Sequence, residues 1–275
     1  MSVMISVGAV ANTPRAVTAW KGLRDYFNGQ GQEMDFVLFS SYRRQIESLL
    51  RGHIDIAWNT PLAHLSVQRR TDGGSISLCM RDSDRDLRSR IIARRDAKIG
   101  SLSDLSWKTL AVGNQDSVET RILPLFFLRS AGVDLRTVEL LSFDESVENL
   151  SEAETCGSGL LAALEKGKAQ AGVISDLIWR REIAAGRVDR DFFKEIWTSP
   201  PFDNCVFDAI PPLWPENPGE YKSSLKSFCR LLYAMSWGDR EHRQILKLLG
   251  LKEWVSPREE GYNSLRAALK DQGDY

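Results

Sequence analysis

Histidine and closely spaced cysteine are what this chain has least of. Its 275 residues include three histidines and four cysteines, and Cys79, Cys156, Cys205 and Cys229 form no C-x-x-C pair. That spacing excludes zinc ribbons and disulfide scaffolds and leaves unpaired thiols as the expectation. No cofactor and no metal is expected. No stretch approaches the ~20 apolar residues of a membrane span, so direct membrane insertion is not expected either. Charge of one sign is equally absent: 36 basic against 37 acidic residues give a formal net charge of −1. The arginine pairs 43–44, 69–70, 94–95 and 180–181 have acidic or apolar neighbours and read as solvated helix faces, so nucleic acid is not an expected partner. The opening MSVMISVGAV has no basic segment before a long apolar run and no small-residue cleavage site. The sequence as it stands therefore predicts a cytoplasmic protein, or a periplasmic one if an export signal has been removed.

What is present is an ordinary globular composition, 43% hydrophobic and 27% charged, long enough for one large or two small domains. The most informative stretch is LLRGHIDIAWNTPLAHL, residues 49–65. It predicts a helix end, a glycine stop, a buried strand over 54–58, and a second helix with Thr60 as cap and Pro61 in its first turn. Upstream, 3–10 reads as a strand, Thr13-Pro14 as a helix start, and 35–39 as a second strand. Ser40-Ser41-Tyr42 then opens a helix with Ile46, Leu49 and Leu50 on its apolar face. Strand–helix alternation of this kind predicts a parallel sheet with every helix start on one rim. That rim gathers Asn12, Ser41, Tyr42, Asn59 and Thr60, which are hydrogen-bonding groups with no nucleophile–base pair among them. Backbone N–H groups at such helix starts favour an anion.

Leu49–Ala63, with Ser41-Tyr42 upstream, resembles the PhnD-like phosphate, phosphite and phosphonate branch of ABC-transporter substrate-binding proteins. The resemblance implies the type 2 periplasmic-binding-protein fold: two Rossmann-like α/β domains joined by two hinge crossings, with the ligand cleft between them. It places the first domain at 1–86 plus 198–275, with the C-terminal helices packed on it, and the second at 87–197. Ser41 and Tyr42 stand where the family contacts its oxyanion. Arg88 and Ser89 occupy the family's contact before the second domain's first strand, although the family often carries an aromatic or histidine there. An arginine at that point can grip a phosphonate or carboxylate bidentately.

Ser101-Leu102-Ser103-Asp104-Leu105 and Lys108–Gly113 resemble the family's entry to its second domain, with Ser106-Trp107 where the pattern ends in glycine. Ser117-Val118-Glu119-Thr120, with Pro124 in register, matches the family's anion-cradling turn "S-T-S-G-x-x-x-P". Val118 removes one hydroxyl there, and Glu119 puts a carboxylate in place of another. As a first-turn acid, Glu119 complements the helix dipole. Gly157-Ser158-Gly159 stands where the family has a histidine at a helix start, and residues 163–173 echo the Leu50–Ala57 module. Ser199-Pro200-Pro201 reads as the return crossing, with Asp203 and Asn204 as ligand candidates. Ser256-Pro257-Arg258-Glu259 has the form of a capping box.

The expected function is a binding protein that closes on a small anionic solute, most simply a phosphonate- or phosphate-like oxyanion. The membrane subunits of an ABC transporter are its candidate partners. The alternative is a cytoplasmic enzyme on the same fold, resembling those of menaquinone synthesis and acting on a small carboxylate or phosphate-bearing metabolite. Glu119, Asp116, His53 and His64 would be its acid–base candidates. A regulator's effector domain shares the fold, but no helix-turn-helix accompanies it here.

Overall fold

A computed structural model describes residues 4–10, 14–142, 153–211 and 218–273. Asn12 and Thr13, and the polar segment before residue 153, lie outside the described residues. The chain divides into two compact units, Met1–Arg85 with Asp203–Glu259 and Asp86–Phe202 with Glu260–Tyr275.

The first unit begins with β1 (Ile5–Val10), α1 (Pro14–Gly29), β2 (Met34–Phe39), α2 (Tyr42–Leu50), β3 (Ile56–Asn59), α3 (Pro61–Arg70) and β4 (Ile76–Arg81). The second contains β5 (Ser89–Arg94), β6 (Thr109–Val112), a π-helical turn (Val118–Ile122) leading into α4 (Leu123–Ser130), β7 (Glu139–Ser142), α5 (Ala153–Glu165), β8 (Ala171–Ser175), α6 (Asp176–Ala184) and β9 (Phe193–Thr198). The chain returns to the first unit for β10 (Val206–Ala209), α7 (Pro218–Ala234), α8 (Arg240–Leu249) and β11 (Trp254–Val255), and ends with α9 (Asn263–Gln272) in the second.

Each unit carries one mixed sheet. The first runs β11-β4-β10-β3-β1-β2, and the second β7-β6-β8-β5-β9. β2, β1 and β3 are parallel, as the strand–helix alternation requires. The antiparallel β10, inserted between β3 and β4, is not announced by that alternation. In the second sheet β6 pairs in parallel with β7 and β8, while β5 runs antiparallel to β8 and β9. Helices cover both faces, so the strands alternate between two apolar layers. Ile91, Leu110 and Val173 face one layer with Leu125 and Leu128 of α4. Their chain neighbours Ile92, Ala111 and Ile174 face the other with Leu160, Leu164 and Trp179. In the first unit Val7, Ile56 and Phe207 pack with Phe228 and Leu232 of α7, while Ala57 joins Ile46, Leu49, Ala63 and Val67 on the opposite side.

Several boundaries differ from the sequence expectation. The third strand starts at Ile56 rather than 54, because Asp55 turns its carboxylate onto the Ser6 N–H at 2.8 Å. Gly157-Ser158-Gly159 lies inside α5 instead of opening it, since burial of Leu160, Leu161 and Leu164 outweighs the low helix propensity of glycine. No helix starts at Pro257. Arg258 is instead held by the buried Asp203 carboxylate at 2.7 Å, and Glu259 accepts from Gln68 at 3.1 Å. The helix begins at Asn263 and groups with the second unit, not the first as expected. Leu265 and Ala268 are buried there, and Asp271 pairs with Arg129 of α4 at 2.7 Å. The chain therefore crosses between units three times rather than twice. The second unit also extends to residue 202, because Leu87 and Phe202 exchange backbone hydrogen bonds of 2.8 and 2.9 Å.

Trp107 takes the left-handed conformation (φ 62°) that the glycine of the family pattern accommodates freely, and its side chain is 83% exposed. A side chain in this region costs about 1–2 kcal/mol, partly offset by the greater unfolded-state freedom of glycine. Trp107→Gly is therefore expected to stabilise the protein by about 0.5–1 kcal/mol, read as a higher urea midpoint. An unchanged or lower midpoint would show that the indole makes compensating contacts.

Candidate functional site

Carboxyl ends of parallel strands and helix starts converge on one rim in each unit. In the second unit the rim is built around the turn after β6. Ser117 is the N-cap of the π-helical turn, and its hydroxyl accepts from the Thr120 N–H at 3.3 Å. The Ser117 and Thr120 hydroxyls hydrogen-bond each other, and Thr120 is buried. Gly113 is what allows this closeness: a Cβ there would stand 2.1 Å from Thr120 Oγ1 and 2.9 Å from Ser117 Cβ. Arg121 secures the turn from behind, donating to Gly113 O at 3.1 Å and to Ser142 Oγ at 2.8 Å. A π-turn of this kind widens the first turn of the helix, a feature frequent at functional positions. Helix geometry leaves the first N–H groups without intrahelical acceptors.

Antiparallel pairing brings the start of β5 to the same rim, with Ser89 opposite Ser175 and Arg90 opposite Thr198. Ser89 is fully buried; its N–H donates to Ser199 Oγ at 2.9 Å and its hydroxyl donates to the Glu119 carbonyl. That hydroxyl hydrogen therefore ties β5 to the turn and is not offered outward. Half-buried Arg88 donates through Nη1 to Ser199 O at 2.8 Å, and its own carbonyl accepts from the Asp176 N–H at 2.8 Å. One of the five guanidinium N–H groups is thus used to orient the fork.

In the first unit, Ser41 caps α2 with extended backbone (φ −159°, ψ 151°), and its hydroxyl accepts from Arg44 N at 3.4 Å. Tyr42 follows in the first turn. Burial, reinforced by the neighbouring Cys205 and Asp84 and opposed by Arg81, raises its phenol well above the ordinary tyrosine range, so it remains a neutral donor. Thr60 holds the N-cap position of α3 before Pro61, and its side chain makes no capping bond among the described residues.

Asn59 requires a correction. Its side chain is fully buried and committed inward: Nδ2 donates to Asp208 at 2.9 Å, and Oδ1 accepts from Gln45 Nε2 at 2.8 Å. Asn59 supports the rim from beneath and does not present an amide to a ligand. Asp203 is corrected similarly by its pairing with Arg258. Asn204 is half-buried where β10 enters, its N–H donating to Asp84 O at 2.8 Å. His53 is exposed, whereas His64 is fully buried with its Nδ1 3.0 Å from the Asp208 carboxylate.

Sequence reasoning missed the role of Gly113, missed Arg121, and missed Gln45, Ser77 and Asp208, whose hydrogen bonds draw Asn59 and His64 into one network. Only Asp208, a lone acid in the apolar run VFDA, left a readable signal.

A family model described as "ABC transporter, phosphonate, periplasmic substrate-binding protein" matches residues 6–262. The probable ABC transporter phosphite binding protein PhnD1 of Prochlorococcus marinus (strain MIT 9301) is 19% identical over 239 residues, covering 85% of this chain and 76% of the relative. The solved structure of PhnD1 in complex with methylphosphonate superposes with a TM-score of 0.73 at 17% identity, covering 99% of both chains. XAC2383 from Xanthomonas citri, bound to ATP, gives a TM-score of 0.73 at 19% identity, again over 99% of both chains.

Proposed function

We propose a ligand class for this chain from the premise that it belongs to the phosphonate family of periplasmic substrate-binding proteins of ABC transporters, and that class is the small oxyanions of tetrahedral phosphorus. The function is ligand binding. The observation that carries the ligand class is the turn Gly113–Thr120, where two hydroxyls and the first N–H groups of a helix are brought together by a glycine whose place no larger residue can take without parting those hydroxyls. Such a constellation favours an anion through oriented donors and the helix dipole. The guanidinium of Arg88 adds charge and a planar fork on the same rim. Methylphosphonate, phosphite and ATP, named for the relatives, share a tetrahedral phosphorus bearing charged oxygens.

On this reading Ser117, Thr120 and Arg88 hold the oxyanion, with Ser89 locking the turn. On the first unit, Ser41, Tyr42, Thr60 and Asn204 are the corresponding candidate donors. The phenol of Tyr42, kept neutral, accepts an anion beside it without charge repulsion. The partners would be the membrane subunits of an ABC transporter, and the working compartment the periplasm. Among the described residues no helix is long and apolar enough to cross a membrane.

The test is a thermal-shift and calorimetric panel of phosphate, phosphite, methylphosphonate, ATP, an alkylsulfonate and a small carboxylate. A ligand at 100 times Kd adds about 2.7 kcal/mol to native stability, a shift easily seen. Phosphorus oxyanions are expected to bind, with Arg88→Ala and Ser117→Ala each weakening affinity by roughly 10–100-fold. A response confined to sulfonates or carboxylates, or a flat panel, would overturn the ligand class. Undiminished binding by both variants would overturn the assignment of the site.

A further inference from the structure

The two thiols of the first unit that sequence spacing sets far apart are neighbours in space. Cys79 lies fully buried on β4, and Cys229 is half-buried on α7. Both pack in the same apolar core, and Cys229 approaches β4 at the peptide that joins Leu78 to Cys79, close enough for the two thiols to influence each other's titration. Around them, Cys229 Sγ lies 3.9 Å from the Leu78 carbonyl oxygen, and the Tyr233 hydroxyl donates to that same oxygen at 3.0 Å. Among the described residues β11 reaches only Met80 and Arg81, which leaves this corner of β4 as a sheet edge. Beside it opens a groove of about 700 Å³ lined by Leu78, Cys229 and Tyr233 and flanked by Lys222, Lys226 and Arg230. One sulfur of the pair therefore borders a surface groove, and the other lies behind it.

We infer that Cys79 and Cys229 are the two halves of a latent disulfide, an oxidative modification site that links β4 covalently to α7 and is reached through this groove. The co-reactant class is a disulfide oxidant, R–S–S–R, and an anionic one such as oxidised glutathione suits the basic flank of the groove. Cys229 attacks first. Its thiolate forms a sulfur–sulfur bond to one sulfur of the oxidant and expels RS⁻, which takes up the proton Cys229 released. Cys79 then gives its proton to solvent and attacks Cys229 Sγ. The mixed disulfide breaks, the Cys79–Cys229 bond forms, and a second RS⁻ leaves to be protonated. The protein loses two electrons and two protons, and the oxidant is reduced to two RSH.

The order of attack follows from the local electrostatics as well as from access. The neighbouring Cys79 thiol lowers the pKa of Cys229, while Cys229 and burial raise Cys79. The outer sulfur is thus the better nucleophile and the inner one the resolving partner. Closing so long a loop restricts the unfolded chain strongly.

The experiment is incubation of the reduced, full-length protein with oxidised glutathione, followed by peptide mass spectrometry and thiol counting in denaturant. The expected result is a Cys79–Cys229 linked peptide lighter by two hydrogens, with the titre of the four thiols halved. Tm should rise by about 5 °C or more, reversed by dithiothreitol. Cys156→Ser combined with Cys205→Ser should retain the reaction, and Cys229→Ala should abolish it. A folded protein that yields no linked peptide, or one that links other cysteines instead, would overturn the proposal. So would Cys229→Ala protein that still gains the same Tm.

Discussion

Asp208→Ala is expected to lower the unfolding free energy by about 3–5 kcal/mol. The carboxylate is fully buried and accepts from Asn59 Nδ2 at 2.9 Å, His64 Nδ1 at 3.0 Å and Ser77 Oγ at 3.0 Å. These donors come from β3, α3 and β4, so one side chain on β10 ties together three elements. Truncation takes the acceptor away from two buried donors, Asn59 and His64, and from half-buried Ser77 at once, and leaves a polar hole that the apolar surroundings cannot fill. Urea denaturation gives the measurement. Asp208→Asn keeps the volume but turns one accepting oxygen into an amide nitrogen that faces donors, so the difference between the two variants isolates the cavity together with the one acceptor that asparagine retains. A loss below about 1 kcal/mol for the alanine variant would mean that the donors find other acceptors.

Gly113→Val should abolish oxyanion binding, by at least roughly 100-fold, while costing the fold only about 1–3 kcal/mol, the usual range for overpacking. The introduced Cβ would stand 2.1 Å from Thr120 Oγ1 and 3.0 Å from Ser117 Oγ, so the turn must open and its hydroxyls part. Binding suffers more than stability because the apolar layers beneath, built on Leu110, Val112 and Val173, are untouched. Calorimetry on protein shown to be folded by circular dichroism distinguishes the two effects. A folded Gly113→Val protein that binds phosphite or methylphosphonate as the parent does would place the oxyanion elsewhere. Gly113→Ala meets the same Cβ contacts and should behave likewise, with a smaller loss of stability.

The helix starts at Ser41-Tyr42 and Thr60-Pro61 and the parallel run β2-β1-β3 were legible because they depend on local chemistry. Capping, proline placement and apolar periodicity act over a few residues. Asp239 and Gly250 cap α8 by the same local chemistry. The turn Ser117–Thr120 was located through resemblance and its capping serine, but its π-helical geometry and its dependence on Gly113 were not visible. Both arise where the turn folds back against the end of β6, a close approach that residue types and periodicity do not encode even though Gly113 and Thr120 are near in sequence.

What the sequence by itself determined was the class of fold, the helix starts that form the two rims, and the kinship that makes this chain a binding protein. Tertiary structure alone decided which polar groups point outward and which are consumed within. Asn59 looked like a ligand amide and became a buried support, because the antiparallel β10 brings Asp208 beneath it. Ser256–Glu259 looked like a helix start and became an anchor, because buried Asp203 requires a guanidinium. Cys79 and Cys229 looked unrelated and became neighbours. The physical reason is common to all three. Local signals record what a segment can do, whereas a buried polar group takes whichever partner the fold brings within hydrogen-bond distance, and those partners come from strands and helices far away along the chain.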